Sequence, residues 1–474
     1  MAYGGYTYLE FKYKPSKNDF VVLFWVNGKY NLEKLAEGIA AESSVGTWLK
    51  INTMNDKVFK YYRARVFKII KTTQKSGFVY VAYPIEHFDA KNVLQFQASV
   101  LGNIFGMKEL TELVVLDISF PEKYQKLFKG PKFGIEGIRK YVGTSKTRRP
   151  HVGSIVKPKV GLTAKEFGNV AYDCWKNGLD LVKDDENLVD QPFCPWKKRF
   201  DYTIKMMEKA EKETGEKKVF ASNITDSSIE RMEKRLDHIK ESGNRMVMLD
   251  VYIMGAPALM HMIKLAQKAN LFVHAHRAGY AAAHGGNFGV NFQIYEKYYR
   301  IMGVDQLHVG TGVGKMEGAP ILIKHLNELS RCYKGEEKLY LGSLEYTYSK
   351  HIKPMFPVAS GGVDPAKVEG IVAIHTKDVI IQAGGGVHGH PKGTGAGARA
   401  LRTAVECIVS GISLKEAAKK NKDLELALKT FSYSNPDNVR KVLAHETKNA
   451  QNLINRIKKG GIKEYRKISE LEKI

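Results

Sequence analysis

Along the first part of the chain, apolar positions alternate with polar ones or run unbroken over short stretches, at residues 6–13 and 20–26, as they do in strands. Asn31 is placed to cap a helix reaching about residue 41, because Leu32, Leu35 and Ile39 recur at helical spacing. Residues 61–70 and 78–83 read as a hairpin, 93–101 as a helix and 113–118 as a further strand. Strand, helix, hairpin, helix, strand is the order of a ferredoxin-like α+β domain.

From about His151 the rhythm changes. Short apolar runs end in polar or glycine residues, with helical stretches between them: HVGSIVKPK, LDLVKDDEN, VFASNIT, MVMLDVY, LFVHAHRAG, DQLHVGTG, FPVASGG and VIIQAGGG. Eight alternating strand–helix units predict a (β/α)8 barrel of the TIM type, whose active face lies at the carboxyl ends of the strands. From about Leu414 the pattern is helical and ends lysine-rich. The expected division is an α+β domain over 1–130, a barrel over 131–415 and a helical extension over 416–474. A chain of 474 residues has room for two or three such units.

Composition changes this picture little. The chain is 43% hydrophobic and 26% charged, ordinary for a folded protein. No apolar run approaches the roughly 18 residues of a membrane span, and the start, MAYGGYTYLEFKYK, lacks a signal pattern, so a cytoplasmic protein without a membrane partner is expected. Cys174, Cys194, Cys332 and Cys407 are scattered, with no C-x-x-C pair, which fits a reducing compartment better than zinc or thioredoxin chemistry. The net charge of +24 admits nucleic acid, a doubly phosphorylated substrate or simply a lysine-rich surface. Basic residues are spread along the whole chain, which favours the last; no nucleic-acid partner is expected.

Five motifs carry candidate chemistry. In Lys183-Asp184-Asp185-Glu186, at the end of an apolar strand, alternation turns Lys183 and Asp185 to one side. Carboxylates there suit a hard cation such as Mg²⁺, and a lysine joins them only as a carbamate; otherwise the run is a solvated charge cluster. Lys157 and Lys159 flank Pro158 at the first barrel strand's end, suited to an anion or to proton transfer, or plain surface lysines. Ser360-Gly361-Gly362 and Gly384-Gly385-Gly386 close the seventh and eighth strands, where bare backbone N–H groups cradle phosphate or make tight turns. His274 and His276 share a face and Arg277 reaches the mouth, while His388 and His390 repeat the H-x-H spacing and read as structural. Last, the glycine-rich stretch 310–318 with central Lys315, just after His308, reads as a closing lid; Met316 breaks the P-loop pattern.

In this order the motifs resemble those of the ribulose bisphosphate carboxylase (RuBisCO) large chain. GLDLVKDDEN resembles the family's activation motif, KPKVGL its first lysine motif and HVGTGVGKMEG its mobile loop; AAESSVGTW (40–48) and GNIFG (102–106) resemble segments that complete the neighbouring subunit's site. The resemblance implies that Lys183 carries a CO₂-derived carbamate and, with Asp185 and Glu186, holds Mg²⁺. It implies catalytic roles for Lys157, Lys183, His276 and Lys315, with Lys159 tuning Lys157. Glu42 of the partner would orient Lys315, and Asn103 would bond the intermediate. Arg277, His308 and Ser360 would grip one phosphate; Thr47, Trp48, Gly361, Gly384 and Gly385 would grip the other, and Gly362 is a further substrate-binding position. Ribulose-1,5-bisphosphate, CO₂ and, as a side reaction, O₂ are the implied substrates. A homodimer with shared sites, alone or in a larger assembly, is the implied unit. The HRAG and GAGARA segments look more like archaeal type III or II/III forms, tied to AMP salvage. Tyr280 stands where plant-type chains have histidine, Ile155 where they have threonine, and Gly312 where valine or alanine is usual. The alternative is a RuBisCO-like enolase or isomerase acting on another sugar phosphate.

Overall fold

The computed structural model describes residues 5–47, 49–89, 92–284, 286–314, 318–335 and 342–458. Strand β1 (Asp19–Gly28) is apolar on both faces because both are covered. Phe20, Val22, Phe24 and Val26 enter the main core, while Leu23 and Trp25 enter a second cluster with Phe78, Tyr80 and Leu453. Helix α1 (Leu32–Glu42) starts at Asn31, whose side chain accepts from the Lys34 N–H at 3.0 Å. Then come α2 (Asp56–Tyr62), β2 (Arg65–Lys71), β3 (Ser76–Pro84), α3 (Val93–Val100) and β4 (Leu110–Ser119). The antiparallel order β4-β1-β3-β2 is ferredoxin-like.

Two expectations fail here. Residues 6–13 meet this sheet only through isolated bridging such as Leu9 with Val66, because Tyr6 and Tyr8 turn their rings onto Phe59, with centroids 4.5 and 5.3 Å away. Residues 61–62 belong to α2, and the hairpin begins only at Arg65. That helix buries none of its residues, so it leaves no apolar period in the sequence.

The eight predicted barrel strands are present: β5 (His151–Ile155), β6 (Leu181–Lys183), β7 (Val219–Asn223), β8 (Met246–Asp250), β9 (Phe272–His276), β11 (Gln306–His308), β12 (Phe356–Ala359) and β13 (Ile380–Gln382). Every neighbouring pair is parallel, and β13 closes on β5. Strand β10 (Phe288–Val290) leaves the barrel and adds in parallel to β4, so barrel and N-terminal sheet share one ladder. Beneath it, Lys297 donates to Asp117 at 2.6 Å in a fully buried pair. The last described helix, Pro436–Lys458, sets Val439 and Leu443 into the main core and Leu453 against the outer face of the N-terminal sheet. Among the described residues no helix is long and apolar enough to cross a membrane.

The barrel floor is held by charge. Arg149 grips Asp180 with two bonds of 2.7 and 2.6 Å, and Asp180 also accepts from the Val152 N–H at 2.9 Å. The start of β5 is thereby tied to the approach to β6, the two strands that end in Lys157 and Lys183. Burial alone would push the Asp180 carboxyl up; the Arg149 guanidinium, joined by His151 and Arg402, outweighs it and holds the group well below the usual carboxylate range. A depressed folded-state pKa gives stability that is present above the unfolded value of about 3.9 and lost as pH falls below it. Asp180→Asn is expected to cost about 3 kcal/mol at pH 7. The difference from the unaltered protein should narrow below about pH 4. Urea denaturation at pH 7, 5 and 3 checks both points.

Candidate active site

The chain leaves β6 in extended form, and successive side chains diverge. Lys183 turns into the barrel mouth, where it is 1% exposed; its Nζ donates to the Asp184 carbonyl at 2.7 Å and lies 3.6 Å from a Glu186 oxygen. Burial pushes its pKa down, opposed by Glu186 and Asp185. Asp184 turns the other way. It pairs with fully buried Arg199 at 3.0 Å and accepts from the Ser222 hydroxyl at 3.1 Å and the Asn223 N–H at 2.8 Å. Asp185 returns to the mouth, where Lys157 donates to one oxygen at 2.7 Å and Asn187 to the other through its backbone and its amide. Burial raises the Asp185 pKa, but these bonds outweigh it and the group stays below its ordinary value.

Around this centre stand residues from four more strands. His276, ending β9, has Nε2 3.5 Å from Glu186 and Nδ1 3.4 Å from Asp250, which ends β8. Glu186 is held below its ordinary pKa: burial pushes it up, and His276 and Lys183 pull it further down. Asn223, ending β7, reaches both the Glu186 carbonyl and Asp250 at 3.3 Å. His308, ending β11, accepts or donates at both ring nitrogens, to His274 at 2.9 Å and to Ser360 at 2.6 Å. Arg277 lays its guanidinium over the Phe292 ring at 4.3 Å.

The glycines explain how closely the mouth packs. A side chain at Gly384 would come within 3.1 Å of the Lys157 stem, and one at Gly314 within 2.0 Å of the Gly361 carbonyl oxygen. Gly361 and Gly362 have φ of +99° and +72°, which only glycine adopts readily. Gly385 follows Gly384 into a single helical turn.

Lys157, Lys183, Asp185, Glu186, His276, His308 and Ser360 thus come together, with Arg277 and the glycines at the rim. Lys159 is exposed beyond them. Glu42 closes α1, Thr47 follows it, and Asn103 opens the turn Asn103–Gly106 packed on that helix; no hydrogen bond or ion pair among the described residues links these three to Lys183. Trp48 and Lys315 lie outside the described residues. His388 bonds the Ile155 carbonyl and Thr394, both at 3.0 Å, and His390 the Asp423 carbonyl at 3.0 Å, as expected of structural histidines. Asn223, Asp250 and Gln306 were not among the sequence candidates, and His274, noted only for sharing a face with His276, was given no role. Asn223 and Asp250 share a legible signal, a polar residue closing an apolar barrel strand.

Fold and site define a (β/α)8-barrel protein with a lysine–carboxylate–histidine centre at the carboxyl face of the strands. Residues 134–431 match the model of the ribulose bisphosphate carboxylase large chain, catalytic domain, and residues 7–124 that of its N-terminal domain. Ribulose bisphosphate carboxylase of Methanocaldococcus jannaschii is 42% identical over 89% of this chain and 99% of its own length. The Archaeoglobus fulgidus protein of the same name is 38% identical over 90% and 98%. The dimeric archaeal Rubisco of Hyperthermus butylicus superposes with a TM-score of 0.84 at 39% identity, covering 90% of this chain and 99% of that one. The octameric Rubisco of Pyrococcus horikoshii, solved with sulfate, gives 0.81 at 36% identity, covering 89% and 96%. The chain belongs to the ribulose bisphosphate carboxylase large-chain family.

Arg199→Met would leave Asp184 buried without its counter-charge. A loss of about 3–5 kcal/mol is expected, most of it recovered when Asp184→Leu is added. Equilibrium denaturation of the single and double variants measures this.

Proposed function

We propose that the chain is a ribulose-1,5-bisphosphate carboxylase, with O₂ as a competing substrate, activated by a carbamate on Lys183. The observation that carries this reading is a dry lysine between two ionised carboxylates. Burial favours the neutral amine, the form that adds to CO₂ and loses a proton. Asp185 and Glu186 supply two oxygen donors, and among the described residues no third His, Cys, Asp or Glu completes a metal site. The carbamate would be the third anionic oxygen, a set that suits Mg²⁺. When bound, Mg²⁺ would supply Lewis-acid stabilisation of negative charge on the sugar oxygens.

The chain's own groups do the rest. The Lys183 carbamate takes the C3 proton of the substrate. Lys157, already within 2.7 Å of Asp185, exchanges protons at C2, with Lys159 tuning it. His276 contacts the substrate hydroxyls and assists proton movement. Lys315 stabilises the carboxylate forming from CO₂. Arg277, His308 and Ser360 hold one phosphate; Thr47, Trp48, Gly361, Gly362, Gly384 and Gly385 surround the other. Glu42, Thr47, Trp48 and Asn103 act in the partner's site, so the smallest active unit is a homodimer. Water adds at C3 of the six-carbon adduct, the C2–C3 bond breaks, and Lys157 returns a proton to C2, giving two molecules of 3-phosphoglycerate. The pathway is salvage of AMP-derived ribose; a genomic neighbourhood with phosphoribulokinase and no AMP phosphorylase would argue against it.

Protein preincubated with bicarbonate and Mg²⁺, then given ribulose-1,5-bisphosphate and ¹⁴CO₂, is expected to place acid-stable label in 3-phosphoglycerate. Lys183→Ala should lower that rate by about 10²–10⁴-fold or more. No label from a folded protein would replace this reading with an enolase or isomerase acting on another sugar phosphate. Sharing of sites has its own test. Glu42→Gln and Lys183→Ala homodimers should each be inactive, while dimers mixing the two chains regain one working site of two. Mixed dimers as inactive as their parents would place Glu42 and Lys183 in the same protomer's site.

A further inference from the structure

Four buried or half-buried side chains form a line across the barrel mouth. Gln306 Oε1 lies 2.7 Å from His274 Nδ1, His274 Nε2 lies 2.9 Å from His308 Nε2, and His308 Nδ1 lies 2.6 Å from Ser360 Oγ. Gln306, His274 and His308 are 1%, 0% and 3% exposed, so solvent cannot supply alternative partners. A neutral imidazole has one N–H and one bare nitrogen. Every bond in the line must therefore point the same way, and the group at its end decides which.

With the Gln306 oxygen facing His274, the His274 Nδ1–H donates to it. His274 Nε2 is then bare and accepts from His308 Nε2–H, and bare His308 Nδ1 accepts the Ser360 hydroxyl proton. In that direction Ser360 offers only lone pairs outward. If the amide turns so that Nε2–H faces His274, all three bonds reverse. His308 Nδ1–H then donates to Ser360, whose own proton is free to point into the mouth. A phosphate oxygen accepts and does not donate, so it can pair only with the second arrangement.

We propose that Gln306 is a positioning residue that sets, and by turning its amide reverses, the direction of the chain Gln306–His274–His308–Ser360, so that Ser360 donates to an anionic group of the substrate. This rests on the carboxylase reading, in which Ser360 holds a phosphate. Burial keeps both rings in the neutral form that the relay needs: it pushes His274 down to about 3 and His308 well below the ordinary histidine range. The end group must be able both to donate and to accept at one position. An amide does this without changing charge; a carboxylate only accepts, and a thioether does neither usefully.

The test is a double-mutant cycle on the full-length protein, read as binding of ribulose-1,5-bisphosphate by calorimetry in CO₂-free buffer, where carboxylation cannot occur. Ser360→Ala and Gln306→Met should each weaken binding about tenfold, the worth of one hydrogen bond to a charged group. The double variant should bind no more weakly than Ser360→Ala alone, because Gln306 acts only through Ser360. If Gln306→Met does not fold, Gln306→Asn, with its amide out of reach, replaces it in the cycle and carries the same expectation. A double variant about a hundredfold weaker than the unaltered protein would overturn the proposal, as would Gln306→Met lowering thermal stability with binding unchanged. Absence of bisphosphate binding by the unaltered protein would instead overturn the carboxylase reading, and this inference with it.

Discussion

A lysine with 1% exposure inside a protein must either lose its charge or find compensation, and the rest of the site is arranged around that constraint at Lys183. Alternation at the β6 exit makes the solution possible. Asp184 is directed backwards onto Arg199, Ser222 and the Asn223 N–H, which fixes β6 against β7. Asp185 and Glu186 are left in the mouth, close enough to pull on Lys183 without neutralising burial. A buried pair such as Asp184–Arg199 contributes little net stability over an apolar pair of similar volume. Its value lies in direction: it prevents the second of four consecutive charged residues from entering the mouth, where it would compete for Lys157.

The same logic joins the two halves of the chain. β10 leaves the barrel to extend the N-terminal sheet, and the Lys297–Asp117 pair sits directly under that junction. Burial pushes the Asp117 carboxyl up, and Lys297 with the Leu344 and Ile118 N–H groups pulls against it. The helix Pro436–Lys458 reinforces the joint by touching barrel core and sheet face at once. A sheet fixed in this way holds Glu42 and Asn103 at a set distance from their own barrel. The partner-site roles proposed for Glu42 and Asn103 require that the N-terminal domain does not swing.

Much of this was legible in residue order. The eight barrel strands announce themselves because parallel strands buried on both faces read as continuous apolar runs, and because a polar residue closes most of them. The pairing of Lys183 with Asp185 follows from period-two alternation; Glu186 joins them because the chain turns just beyond β6. What stayed hidden obeys no short-range period. α2 buries no residue fully and half-buries only Val58 and Phe59, so no apolar period separates it from the strand that follows. The segment around Tyr6 and Tyr8 looks like a strand because its rings are buried on Phe59, a contact across some fifty residues. Asp250 and His276 meet only because β8 and β9 are neighbours in the closed barrel. Gln306 looks like an ordinary polar strand residue until His274 is seen beside it.

The chain's excess of positive charge does not originate in the mouth. Among the described residues of the mouth, Lys157, Lys183 and Arg277 stand against Asp185, Glu186 and Asp250, three basic side chains facing three acidic ones before any carbamate forms. Adding an anionic carbamate in place of an amine shifts the balance toward negative charge, which repels a bisphosphate and favours a divalent cation. In the proposed carboxylase reading, phosphate would therefore be held at the rim, by Arg277 and by donors with no charge of their own: backbone N–H groups at the glycine pairs and the Ser360 hydroxyl. The +24 net charge acts from further out, where ionic strength near 0.15 M screens it over about 8 Å. It can raise the local concentration of an anionic substrate, but it cannot orient one. In the proposed site Arg277 would add charge at close range, and for the neutral donors beside it the direction of each proton would decide whether they hold an anion.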